Sequence, residues 1–117
     1  MKITRFAAAD FVEPHKGWKR TSLCGETDIS IEHFVKPPRH ASPEHQHENQ
    51  QILVVLQGSL VVRKADGSEE TLETGDCAYL PSNEPHSVIN QSDEPATGLD
   101  IFVPGRSIDF WSQQTAD

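Results

Sequence analysis

Cysteine is scarce in this chain of 117 residues: only Cys24 and Cys77 occur, far apart, and they form no CxxC or other metal-ligand pair. A disulfide-stapled scaffold is thereby set aside. Two free thiols in a reducing compartment are expected, with a single structural disulfide as the alternative. Basic residues are also few, 10 against 18 acidic ones for a net charge of −8, which works against nucleic acid or an anionic membrane as partner. No apolar run approaches bilayer-spanning length. The patch Phe6-Ala7-Ala8-Ala9 is cut by Asp10 and lacks a cleavage pattern, so no signal peptide is read and a cytoplasmic location is the default expectation. Helical periodicity is missing from Met1 to Val103, and only Ser107 to Gln114 could form a helical turn or two.

Short strands punctuated by Gly, Pro and Asp fill that space. Ile29-Ser30-Ile31-Glu32 alternates apolar and polar residues until Pro37-Pro38 stops it. An apolar run from Ile52 to Leu56 ends at Gly58. Ser59 to Lys64, the turn Ala65-Asp66-Gly67 and Ser68 to Glu73 read as a hairpin. Cys77-Ala78-Tyr79-Leu80 reads as a short buried strand, His86 to Asn90 and Gly98 to Val103 as two more. Regular short strands indicate an all-β sandwich or barrel. The length suits one domain: an extension with an edge strand over 1–26, a barrel over 27–103 and a tail over 104–117.

The chemistry points to His45, His47, Gln51 and His86. Residues two or four apart in a strand share a face, so a strand running from the histidines into Gln51 and Leu56 would present His45, His47 and Gln51 together, with His86 supplied by a later strand. Three imidazoles and an amide oxygen suit one divalent transition metal and leave room for water or substrate. Nickel, zinc, manganese and iron all fit such a shell. The alternative for Gln51 is a place behind the ligands as a hydrogen-bond donor.

These spacings resemble the cupin superfamily, whose motifs run G-x5-H-x-H-x3-E-x6-G and G-x5-P-x-G-x2-H-x3-N. His45, His47, Gln51 and Gly58 stand at positions of the first; Gly75, Pro81, His86 and Asn90 at positions of the second. The resemblance implies a cupin jelly roll, the double-stranded β-helix barrel. It also implies a homodimer, since cupins commonly pair sheet to sheet. Three positions depart: Arg39 and Asn83 for glycines, and Gln51 for glutamate. Asparagine tolerates the left-handed turn that glycine usually fills, whereas Arg39 leaves the shape of the lead-in loop open. A neutral Gln51 keeps the ion's full charge and tilts the chemistry from oxygen activation toward proton transfer or hydration.

His-x-His-x3-Gln with a distant His resembles, within the cupins, the KdgF-type proteins of pectin and alginate breakdown, which convert cyclic 4,5-unsaturated monouronates to the open-chain keto form. Asp100-Ile101-Phe102-Val103-Pro104-Gly105-Arg106 is similar to that group's D-x-F-x-P-x-R stretch, and Gly17-Trp18-Lys19-Arg20 to its G-x-x-R. Asp100 is then the candidate general acid/base, unless it merely pairs with Arg106. Arg106 is the candidate for a substrate carboxylate, or else pairs with Asp109. Phe102 is a substrate-binding candidate by its parity with Asp100, although Phe102, Tyr79 and Trp111 also suit the core. Cys77 reads as a buried, inert thiol, His40 as a solvated loop histidine, and Asn90 as a strand-end device. The function expected is a metal-dependent isomerase or tautomerase acting on a small, carboxylated sugar. An iron-dependent dioxygenase and a non-catalytic metal- or sugar-binding cupin are the alternatives.

Overall fold

Ten strands and two short 3-10 helices make up the computed structural model, which describes residues 1–113. The strands are β1 (Phe11–His15), β2 (Trp18–Gly25), β3 (Ser30–Lys36), β4 (His40–Ala41), β5 (Gln50–Gln57), β6 (Leu60–Lys64), β7 (Glu69–Leu72), β8 (Cys77–Leu80), β9 (His86–Asn90) and β10 (Ala96–Val103). They form a six-stranded sheet in the order β1-β2-β3-β10-β5-β8 and a four-stranded sheet in the order β4-β9-β6-β7, with antiparallel pairing throughout. The chain thus takes the all-β, double-stranded β-helix form. A 3-10 helix at Phe6–Ala8 precedes the strands, and another at Ile108–Gln113 occupies the expected carboxyl-terminal helical turn, of which Gln114 lies outside the described residues.

The apolar core fills the space between the sheets with Phe34, Leu53, Val55, Leu60, Val62, Leu80 and Ala96. Close packing there depends on Gly98, because a Cβ at that position would come 2.5 Å from Phe34 Cζ and 2.4 Å from the Val54 carbonyl oxygen. Two left-handed residues, Arg39 (φ 58°) and Asn83 (φ 63°), keep the backbone form of the motif glycines they replace. Arg39 is held there by its ion pair to Asp93 at 2.8 Å and by donation of its amide N–H to the Ser92 carbonyl.

Several sequence expectations change. The strand expected to run from His45 into Gln51 is interrupted: His45 makes an isolated bridge to His86, and β5 begins only at Gln50. Local hydrogen bonding competes with the ladder here, with the His45 ring on the Pro43 carbonyl, the His47 ring on Asn49 O and the Asn49 amide on Pro104 O. β3 reaches Lys36 with its alternation inverted, since Ser30, Glu32, Phe34 and Lys36 are the buried positions and Ile31 is only half-buried. β8 is an edge strand in which Leu80 alone is buried, so Cys77 is exposed and Tyr79, at 58% exposure, lies outside the core and donates its hydroxyl to Gln50. The amino-terminal segment contributes two strands, not one. No helix of the described residues is long and apolar enough to cross a membrane.

Candidate metal and substrate site

Register explains how the polar half of the interior forms. Across β3, β10 and β5, Asp100 lies opposite Glu32 and Leu53, while Phe102 lies opposite Ser30 and Gln51. Inward positions of three neighbouring strands therefore deliver Glu32, Asp100 and Gln51 to one end of the barrel, and β2 adds Arg20. These side chains are buried and mutually satisfied. Arg20 donates to Glu32 Oε1 at 2.8 Å and to Asp100 Oδ2 at 2.6 Å. Glu32 also accepts from Trp111 Nε1 at 2.8 Å and from Arg106 Nε at 3.3 Å. Arg106 stacks on Phe102 at 3.8 Å and on Phe110 at 4.2 Å. Burial lowers the Arg106 pKa, with Glu32 opposing that shift; for Arg20 the attraction of Asp100 and Glu32 overcomes burial and raises it. The alternative pairing of Asp100 with Arg106 is thus replaced: Asp100 pairs with Arg20, and Glu32 pairs with both arginines.

Beside this network the ligand-type nitrogens of His45, His47 and His86 all lie within 4.8 Å of one another. Each ring is oriented by a backbone carbonyl that accepts from Nδ1: Pro43 O at 3.0 Å for His45, Asn49 O at 2.9 Å for His47 and Glu84 O at 2.9 Å for His86. That choice of tautomer leaves every Nε2 as a lone pair. Burial pulls the His45 pKa to about 4, helped by repulsion from His86, His47 and Arg106, and lowers that of His47, so both rings are neutral at neutral pH.

Two contacts then have no protein solution. His86 Nε2 is buried with no hydrogen-bond partner. His47 Nε2 stands 3.0 Å from Gln51 Oε1, and with Nδ1 carrying the proton this sets lone pair against lone pair. Gln51 has no freedom to turn away, because its amide nitrogen donates to Asp100 Oδ1 at 2.7 Å and a flipped amide would oppose oxygen to oxygen. A cation among these atoms resolves both conflicts. The residues present therefore fit one divalent metal ion.

The adjoining cavity, about 420 Å³ with its open mouth, is lined by His45, Gln51 and His86 together with Trp18, Lys36 and Arg106. Asp100 and Phe102 also face it, the Phe102 ring lying edge-on to His47 with centroids 5.7 Å apart. Thus His45, His47, Gln51, His86, Asp100, Phe102 and Arg106 are brought to one place. Sequence reasoning gave no role to Arg20 or Glu32 and did not single out Lys36. The signal available was the row of polar residues Ser30, Glu32 and Lys36 at alternate positions of β3. His40, expected in solvent, instead packs on Trp18 with centroids 4.9 Å apart and meets Lys36 Nζ at 2.7 Å through Nδ1. Asn90 is fully buried and donates to the carbonyls of Lys36, Pro37 and Glu94, which makes it a clasp across three segments.

A small barrel with three inward imidazoles at one end of an antiparallel sandwich defines a class of metal-binding β-proteins. The chain belongs to the cupin family: residues 32–102 match the Cupin_2 cupin domain. Over 81 residues, 69% of this chain, it is 28% identical to the H2HPP isomerase of Bacillus subtilis, and it spans about a third (34%) of that protein's length. KdgF from Halomonas sp. superposes with a TM-score of 0.82 at 22% identity, covering 92% of this chain and 96% of that one. The polyketide cyclase RemF from Streptomyces resistomycificus superposes with a TM-score of 0.77 at 23% identity, covering 91% and 81%. These two likenesses concern the fold.

Proposed function

We propose that the protein is a metal-dependent enzyme that opens and tautomerises the ring of a small sugar acid such as a 4,5-unsaturated uronate. The observation that carries this reading is the position of Gln51, whose Oε1 faces His47 while its Nε2 holds Asp100. A proton-accepting carboxylate is thereby tied directly to the metal-type cluster. Isomerase chemistry in a relative and the KdgF-like fold support the same class.

A divalent ion on His45, His47, His86 and Gln51 supplies Lewis acidity toward substrate oxygens. Asp100 accepts the proton of the anomeric hydroxyl as the bond between the anomeric carbon and the ring oxygen breaks, giving an aldehyde and an enolate. Asp100 then returns that same proton to carbon 4 as the enolate oxygen becomes a ketone, so the product is an isomer of the substrate. Its two hydrogen bonds, from Arg20 and Gln51, leave each carboxylate oxygen a second lone pair for this work. Phe102 and Arg106 form the wall beside His47 against which the substrate rests.

The test is an ultraviolet time course of metal-loaded protein with 4,5-unsaturated galacturonate. Accelerated loss of the conjugated-alkene absorbance, cut about 10²-fold or more in Asp100→Ala, is expected. Absence of acceleration by folded, metal-replete protein would remove this substrate.

We also propose a homodimer through the outer face of the six-stranded sheet. Tyr79, Ile52, Ile101 and Ile31 lie in register across four of its strands, flanked by exposed Leu56 and Val103. Sedimentation should give twice the monomer mass, reverting to monomer in Ile52→Lys; a monomeric wild type refutes it.

A further inference from the structure

Lys36 ends β3 pointing inward, 2% exposed, and lines the same cavity as His45, Gln51 and His86. A lysine this buried ordinarily has a carboxylate to meet it. Here, among the described residues, Glu32 and Asp100 form their ion pairs with Arg20 and Arg106, and none is formed with Lys36. Its contacts are His40 Nδ1 at 2.7 Å and the face of Trp18, 4.6 Å from the ring centroid. His40 offers a lone pair and no charge, since burial, Lys36 and neighbouring His15 push its pKa to about 4. Asn90, by donating to the Lys36 carbonyl, fixes the backbone from which the side chain enters.

Arg106 differs in this respect. Its guanidinium is bound to Glu32 and stacked between Phe102 and Phe110, so its charge is already answered by protein. Arg20 and Arg106 balance Glu32 and Asp100, and a divalent ion adds two positive charges with no new anion. A cavity so constituted draws a negative group, and the cation without a counter-charge marks where it goes.

We propose that Lys36, seated between His40 and Trp18, is the residue that binds the carboxylate of an anionic substrate in this cavity. The inference rests on the sugar-acid reading only for the identity of the substrate; it requires a carboxylate, not a particular ring. Arg106 then serves as wall and support, and carboxylate recognition passes from Arg106 to Lys36. Burial first, then Arg20, lower the Lys36 pKa to about 7, while Asp100 alone opposes them. An incoming carboxylate reverses that balance, so binding above neutrality takes up a proton and weakens as pH rises.

Calorimetry of the zinc-loaded full chain tests this with galacturonate and its methyl ester as probes, at pH 8 in HEPES and in Tris. The wild type should bind the acid about tenfold or more tightly than the ester, with fractional proton uptake seen as a buffer-dependent enthalpy. Lys36→Met should lose both the preference and the uptake, whereas Arg106→Gln, which alters a wall that both probes meet, should weaken acid and ester together and keep the preference for the acid. Equal binding of acid and ester, no binding of either, a preference retained in Lys36→Met, or its loss in Arg106→Gln alone would each overturn the assignment. Failure of the sugar-acid reading is distinct: the acid preference and its loss in Lys36→Met would persist while 4,5-unsaturated galacturonate is not turned over.

Discussion

The two halves of the barrel interior are built from the same strands and behave oppositely. β3, β5 and β10 each place apolar residues in one half, Phe34, Leu53, Val55 and Ala96, and polar ones in the other, Glu32, Gln51 and Asp100. In the apolar half, packing is close enough that only glycine fits at position 98. In the polar half the carboxylates and guanidinium groups answer one another, while His86 Nε2, Trp18 Nε1 and the His47–Gln51 contact wait for something the chain does not supply; Lys36, opposite Ala96 at the end of β3, reaches the same cavity without a counter-charge. Close apolar packing marks the first half and unmet valence the second. The join between them is Gln51–Asp100, where a strand of the core hands a hydrogen bond to the site.

Breaking the polar half at its centre should cost most. Arg20→Ala leaves Glu32 and Asp100 buried side by side with one arginine, and a loss of about 3–5 kcal/mol in denaturant-measured stability is expected. A loss below about 1 kcal/mol would mean that the network is wetter than its burial implies. In the apolar half Leu53→Ala should cost about 2–4 kcal/mol by leaving a cavity, without altering metal stoichiometry. A change in stoichiometry would show that the two halves are coupled more tightly than their separate contacts indicate.

Lys36→Met sharpens the contrast with the opposite sign. Folding depresses this amine from its ordinary 10.5 to about 7, so burial disfavours its protonated form. The resulting penalty is absent above about pH 10.5, grows as pH falls toward 7 and is constant below that. The variant should therefore be more stable than wild type at pH 7, by about 1–3 kcal/mol, with the advantage vanishing toward pH 10. Thermal unfolding across that range measures it, and a variant less stable than wild type at pH 7 would show that the bond to His40 outweighs the buried charge.

Much of this was legible in the chain. Motif spacing picked out His45, His47, Gln51 and His86, and the structure draws them together even though the strand expected to align the first three is broken at 46–49. The backbone forms of Arg39 and Asn83 explain how two glycine positions tolerate other residues. Alternation misled at β3, because Ile29-Ser30-Ile31-Glu32 was read as an ordinary half-buried strand, with Ile29 and Ile31 as its apolar face. They belong to an outer face that is itself apolar, and the inner face is polar because it lines a cavity. The same two-sidedness hid the exposure of Cys77 and Tyr79 on β8. Pairings such as Arg20 with Asp100, 80 residues apart, arise from the order of strands in the sheet, which local sequence does not encode.

The central claim is that the conflicts at His47, Gln51 and His86 exist to be resolved by one metal ion. Titration of metal-free protein with cobalt(II), followed by its visible absorption, tests it most directly. The account predicts one tightly bound equivalent per chain with an imidazole-rich spectrum, abolished in His86→Ala and shifted in Gln51→Ala. Undiminished one-to-one binding in His86→Ala, or no saturable binding by the wild type, would contradict it.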